Sequence, residues 1–339
     1  MLPGCISISL ENRGEMGASL FPACSVIIHL QVFQAYIVLH ECPVAYCHEL
    51  HYTGNHFCDF EIFDTVKLHI QRLKNQYADA TVPEPVPMLS SKLVLAEFMT
   101  DRRVIREKGV IPLGLDEEFV RPVHMNFTKN KHCIVMGQTQ KGKTNVVKVI
   151  LQTALEQGVK QIGLFDSVDR GLSSYAAEEQ VVYMETKEQI IDWLDLTEER
   201  LQRRENKYLE AVQEGTVHSL SFAPIMLVVD GFVRFQQNLD SVLQDRITKL
   251  MKNYSHLGFN LIVAGNNNEF SKGFDALTTE VKQISQAVLL MKKTEQSLFT
   301  LPYDRKEADV NPGFGYYIKS GKETRIQIPL CVSERKILT

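Results

Sequence analysis

Lysine is missing from the first sixty residues, which hold a single arginine, Arg13, beside five of the seven cysteines and five of the ten histidines. A secretory signal needs a basic start before an unbroken apolar core, and neither is present. The longest early apolar stretch, residues 25–38, is interrupted by His29, Gln31 and Gln34 and is too short to cross a bilayer. A cytoplasmic location is the expectation. An excess of charge is lacking too: 37 Lys and Arg stand against 41 Asp and Glu, for a net charge of −4. No global field therefore draws the chain to nucleic acid or to an anionic membrane. Seven cysteines, an odd number in 339 residues, fit reduced thiols better than a disulfide framework. No internal repeat and no low-complexity segment is found. What the chain does have is apolar content, 44% of its residues, ample for a buried core.

Residues 1–60 show no sustained helical or strand period and read as an irregular extension of unknown fold. Their Cys42, Cys47, His48, His51, His56 and Cys58 invite a zinc site, but a structural site needs two close ligand pairs and the second is ill defined. The spacing of Phe63, Val66, Leu68, Ile70 and Leu73 predicts an amphipathic helix over 63–77. Pro83, Pro85 and Pro87 then favour extended backbone without ladder donors, so residues 81–91 read as a linker and 61–94 as helix plus linker. The main domain is expected over 95–339. Strands are predicted at 132–136, 161–165, 181–183, 225–229, 259–264 and 287–291, with helices at 143–156, 187–212, 239–256 and 274–283 between them. Near-continuous apolar strands alternating with helices predict an α/β fold, a mainly parallel sheet covered on both faces. Residues 316–319 and 325–329 are expected to add an edge hairpin.

After the first of these strands come Gly137, Gln138, Thr139, Gln140, Lys141, Gly142, Lys143 and Thr144, which satisfy G-x-x-x-x-G-K-[ST] and lead straight into an apolar helix. That turn needs glycines so that backbone N–H groups can curl around phosphate oxygens, a lysine to reach the terminal phosphates, and a hydroxyl for Mg²⁺. Gln140 occupies a position where many such loops carry glycine, and a non-glycine residue is strained there if φ is positive. The strand 225–229 ends at Asp230, a candidate to hold Mg²⁺, and the next residue is Gly231, where hydrolysing relatives place a glutamate that orients water. Losing a general base costs about 10²–10⁴ in rate, so nucleotide binding with weak turnover is the expectation. If the remaining geometry is intact, Gly231→Glu is expected to raise ATPase activity. Glu269 could substitute from another loop, but nothing in its spacing demands that, and it reads as an exposed acid. The loops 166–169 and 265–268 should border the same crevice, because ligands of open α/β sheets lie at the carboxyl ends of strands. There Asn266 is a candidate γ-phosphate sensor, with a plain turn as the equal alternative. Arg200, Arg203 and Arg204, interleaved with Glu198, Glu199 and Glu205, read as a solvated helix face with i,i+4 pairs. Trp193 reads as packed against the sheet.

The P-loop, the segment 164–172, the helix carrying Trp193 and residues 199–204, the strand ending Asp230-Gly231-Phe232, and the strand 257–264 follow the order found in FtsK/SpoIIIE-type ATPases. Within that family, residues 111–123 and the turn Gly142-Lys143-Thr144-Asn145 resemble the carboxyl-terminal ATPase domain of EssC-type motors of type VII secretion. The resemblance covers about residues 95–339. It implies a RecA-like P-loop fold that binds ATP with Mg²⁺ through residues 137–144 and Asp230, Thr144 and Asp230 serving the metal. It further implies hexamer formation with other ATPase domains of the same motor at the inner face of the membrane, and recognition of small WXG-motif secreted proteins. Gly231, Gln140 and the pair Asn266-Asn267 depart from the active pattern. A DNA-translocating ATPase and a nucleotide-free scaffold are the alternatives; against the first, no winged-helix reader follows residue 330 and the domain is not basic.

Overall fold

In the computed structural model the described residues are 88–332, the strands β1 (Ser7–Glu11), β2 (Ser25–Leu30) and β3 (Ala35–Leu39), and residues 67, 68, 71, 72 and 75. The chain divides into two compact units, 1–87 and 88–339. In the first, β1, β2 and β3 form an antiparallel sheet in that order, a regularity the sequence pattern did not display. Residues 67, 68, 71, 72 and 75 are helical, within the expected 63–77 helix. The Cys and His group at 42–58 lies outside the described residues.

The second unit is built on a ten-stranded sheet of order β5-β4-β13-β12-β11-β6-β10-β9-β7-β8. Six strands run parallel: β6 (His132–Gly137), β7 (Ile162–Phe165), β8 (Val181–Met184), β9 (Ile225–Asp230), β10 (Phe259–Gly265) and β11 (Gln286–Leu290). The period-2 alternation of the strands serves both faces. From β6, Ile134 and Met136 enter one core and Cys133 and Val135 the other. The helix after the P-loop, α2 (Lys143–Glu156), packs Val146, Val147, Ile150 and Leu151 on the second face. The first is covered by α3 (Lys187–Glu214), through Trp193, Leu194 and Leu201, and by α5 (Ser241–Asn253), through Leu243 and Ile247. The Trp193 indole lies so close over Gly163 that a Cβ there would meet its ring at 2.5 Å, so this glycine is what lets α3 approach the sheet.

Helix limits follow their caps. Thr186 and Gln189 form a reciprocal capping box that starts α3, and Gly215, in the left-handed region at φ +73°, ends it. Asp240 accepts from the Leu243 backbone N–H at 2.9 Å and Asp275 from that of Thr278 at 2.8 Å, so α5 and α7 (Ala276–Val281) begin two residues later than their apolar patterns predict. Three short helices complete the unit: α1 (Leu95–Phe98), α4 (Phe232–Gln237) and α6 (Asn267–Lys272).

The predicted hairpin is present as β12 (Phe314–Lys319) and β13 (Lys322–Gln327), but it is not at the edge. β4 (Val110–Asp116) pairs with β13, and β5 (Pro122–Asn126) lies beyond it. Pro112 and Gly114 in β4 and Pro122 at the start of β5 hide these two strands from a propensity reading, since Pro and Gly are poor strand formers, and the register shifts between Pro112 and Gly114 in a bulge. Gly114 also lies so close to the Gln327 carbonyl that a Cβ would stand 2.0 Å from its oxygen.

Candidate functional site

β6 and β9 flank β10, with Ala264 in register with Asp230 and Gly265 with Met136, so three loops leave the sheet side by side at its carboxyl edge. The P-loop is the first of them. Gly142 lies at φ +97°, in the left-handed region, and a Cβ added there would meet nothing within 4 Å, so the space beside the turn is open. Gln140 is at φ +63°, the left-handed conformation its position demands, at a cost of order 1 kcal/mol for a residue with a Cβ. Lys143 stands over the turn: its Nζ donates to the carbonyls of Gly137 at 3.0 Å and Gln138 at 2.9 Å, and to Asn266 Oδ1 at 3.1 Å. Burial holds its ammonium below the ordinary lysine range, opposed by the negative charges of Asp230 and Glu269. Gln138, Thr139 and Gln140 are exposed, and Lys141 Nζ reaches the Val310 carbonyl at 3.5 Å.

Thr144 Oγ1 donates to Asp230 Oδ2 at 2.7 Å. Asp230 is only 3% exposed. Burial pushes its carboxyl up from the usual range, the Thr144 hydrogen bond opposes this, and the charge of Asp166 adds to the rise. A buried carboxylate beside a hydroxyl and a half-buried lysine is suited to a cation bridged to phosphate. Among the described residues no group of three or more His, Cys, Asp or Glu is placed to hold a metal ion.

Both expected border loops reach this site. Asp166 is buried and accepts from the Ser167 and Leu172 backbone N–H groups, each at 2.8 Å, and from the Tyr183 hydroxyl at 2.9 Å, which shapes the turn 166–172. Gly171 in that turn packs against Thr144, where a Cβ would lie 2.9 Å from its methyl group. Asn266 turns its side chain to Lys143 rather than capping α6. Gly231 has its own backbone reason: φ is +98°, in the left-handed region. A glutamate at 231 would be strained there, which removes the condition under which Gly231→Glu was expected to restore activity. Glu269 is not an exposed acid; it is half-buried, and its Oε1 accepts from Asn266 Nδ2 at 2.8 Å.

Asn145 was missed as a structural residue. Its Nδ2 donates to the Pro329 carbonyl and its Oδ1 accepts from the Cys331 N–H, both at 2.9 Å, clamping the end of the described chain to the first turn of the P-loop helix. Leu330 in turn exchanges backbone bonds with Leu93 and Leu95. Of the basic helix face, Arg200 donates to Gln161 and Arg204 to the carbonyls of Ala223 and Leu257, while Arg203 pairs with Glu199.

A sheet carrying a P-loop, an acid two strands away and a polar residue on the strand between is the arrangement of a RecA-like P-loop fold, and relatives narrow it. The chain is 48% identical over 278 residues to the ESX secretion system protein YukB of Bacillus subtilis, covering 82% of this chain. It is 49% identical over 271 residues, 80% of its length, to the ESX secretion system protein EccC of Geobacillus thermodenitrificans. The chain belongs to the EssC/EccC family of type VII secretion ATPases. It spans 19% and 18% of the lengths of those two relatives. Among solved structures, EssC ATPases 2 and 3 from Geobacillus thermodenitrificans match with a TM-score of 0.75 and 42% identity, covering 94% of this chain and 57% of that one. No family model matches. No helix among the described residues of this EssC-like domain is long and apolar enough to cross a membrane.

Proposed function

We propose that this chain is an ATP-binding module of a type VII secretion motor that recognises secreted substrate proteins and hydrolyses ATP weakly. The Thr144–Asp230 hydrogen bond beneath Lys143 carries this reading, because it joins the hydroxyl, acid and ammonium of a Mg-nucleotide site at one sheet edge. Residues 137–142 would wrap the phosphates with backbone N–H groups, Lys143 would neutralise the terminal ones, and Thr144 and Asp230 would hold the magnesium ion, which supplies charge compensation. Binding requires Lys143 to exchange its carbonyl contacts for phosphate oxygens, and Asn266, already in its reach, would sense the change. Gly231 removes the usual water-orienting glutamate, so turnover would be slow.

Residues 1–60 would be an extension, 61–94 a helix and linker whose last residues, 88–94, already belong to the second compact unit, and 95–339 the ATPase domain, working beside other ATPase domains of the motor in a hexamer at the cytoplasmic face of the membrane. Substrate recognition draws support from the structure of Thermomonospora curvata EccC ATPases 2 and 3 solved in complex with a signal sequence peptide, a 22% identical neighbour. WXG-motif secreted proteins are the proposed substrates. Calorimetric titration with Mg-ATP tests the nucleotide half, and pull-down of such substrates with and without nucleotide tests the other. No heat of binding would leave only a scaffold; capture indifferent to nucleotide would separate recognition from the ATPase site.

A further inference from the structure

The acid absent at Gly231 has a counterpart one strand away. Glu269 sits at the third position of α6, behind the end of β10, which lies between the P-loop strand and the Asp230 strand. Gly265 makes room for it: a Cβ at 265 would stand 2.6 Å from Glu269 Oε2. The carboxylate therefore lies against the carboxyl end of β10, whose last two residues are in register with Asp230 and Met136. Its Oε1 is held by Asn266, which is held by Lys143, so acid, amide and ammonium form one chain to the phosphate turn. Its Oε2 is closed to solvent and has no hydrogen-bond partner among the described residues, an arrangement that costs free energy, so Oε1, on the side of Asn266 and the phosphate turn, is the oxygen open to exchange. The neighbouring residue fixes the position. Phe270 is fully buried and stacks on Phe232, the residue after Gly231, with ring centroids 5.1 Å apart and planes inclined by 20°.

We infer that Glu269 replaces the missing glutamate and orients the attacking water for the slow ATP hydrolysis this site retains. This rests on the nucleotide-binding reading above. The water oxygen forms a bond to the γ-phosphorus as the bond from that phosphorus to the β–γ bridging oxygen breaks, its electron pair leaving with ADP. The water proton passes to Glu269 and from there to the released phosphate. No spacing along the chain marks this position, because the acid reaches the site across the sheet rather than along one strand.

The test uses the full chain with Glu269→Gln, which keeps the shape and an acceptor for Asn266, and Glu269→Asp, which keeps the charge but withdraws it by one methylene. ADP affinity, read by calorimetry, is expected to match the parent in both and reports an intact fold. In Glu269→Gln, loss of a like charge beside the γ-phosphate should raise the preference for ATP over ADP roughly fivefold, the size of a unit-charge contact at about 4 Å in water. Single-turnover hydrolysis should fall by about 10²–10⁴. Glu269→Asp should lose rate while keeping the parent's ATP-to-ADP preference. An unchanged preference or an unchanged rate in Glu269→Gln overturns the inference, as does a parent chain that binds ATP without any turnover; the last result leaves the binding reading standing. Absence of ATP binding by the parent overturns both.

Discussion

Thr144 and Asp230, 86 positions apart, meet through a 2.7 Å hydrogen bond in which the hydroxyl of the P-loop helix donates to a buried carboxylate. This bond and the charge of Lys143 oppose the cost of keeping the acid dry.

Lys143→Ala should weaken Mg-ATP binding by about ten- to hundredfold, the 1.5–3 kcal/mol typical of hydrogen bonds to a charged group. The side chain's present partners are two carbonyls of an exposed turn and Asn266, so little packing is lost and the melting temperature should hardly move. Calorimetry and thermal melts of the same preparation check both halves; unchanged ATP affinity would remove this lysine from the site.

Asp230→Asn separates stability from function. Burial raises the folded-state pKa of Asp230, so between its ordinary value and the raised one the folded state binds more protons than the unfolded state. Stability from this group therefore falls as pH rises through that window. At neutral pH, asparagine, which can still accept from Thr144, should stabilise the nucleotide-free protein, each kcal/mol appearing as about 2–4 °C in Tm. The same change should abolish the magnesium dependence of ATP binding. A lower Tm together with intact magnesium dependence would contradict the assignment.

Gly231→Glu should not raise ATP turnover. The backbone at φ +98° disfavours any side chain there, and the substitution should cost on the order of 1 kcal/mol or more in urea unfolding. A clear gain in phosphate release would mean that the loop relaxes and that Gly231 alone limits the reaction.

His132 makes the fold acid-sensitive. Its Nδ1 accepts from the Leu261 N–H at 3.0 Å and its Nε2 pairs with Ser255 Oγ at 2.9 Å, so the neutral ring bridges β6, β10 and the turn after α5. Burial pushes its pKa down to about 4. The folded value lies below the unfolded one, so the stability is fully present above about pH 6.5 and is lost as pH falls toward 4, roughly 3 kcal/mol in all. His132→Asn should flatten that part of the stability profile in denaturant titrations between pH 7 and 4.

Much of this site was legible in advance because its signals are local. The P-loop spans eight consecutive residues between an apolar strand and an apolar helix, and Asp230 closes an unbroken apolar run, so each could be read without knowing its neighbours. The four helices predicted for the main domain were legible for the same reason, but the starts at 241 and 276 were decided by the Asp240 and Asp275 caps, the ends at 214, 253 and 281 differ by two or three residues, and the short helices α1, α4 and α6 left no such signal. Glu269 was misread because an acid following three asparagines has the composition of a solvated turn; only the position of β10 between β6 and β9, with Gly265 vacating space, makes it part of the site.

The amino-acid order by itself determined the α/β alternation, the phosphate turn and the family to which the chain belongs, since hydrophobic period, glycine placement and motif spacing all act over a few residues. The tertiary structure alone decided that β4 and β5 extend the sheet past the hairpin, that Asn145 clamps residues 329–331, 184 and 186 positions away, and that Gly231 adopts a left-handed turn. Those outcomes depend on strand pairing and side-chain contacts closed over long loops, where the deciding free energy comes from partners that no local pattern specifies.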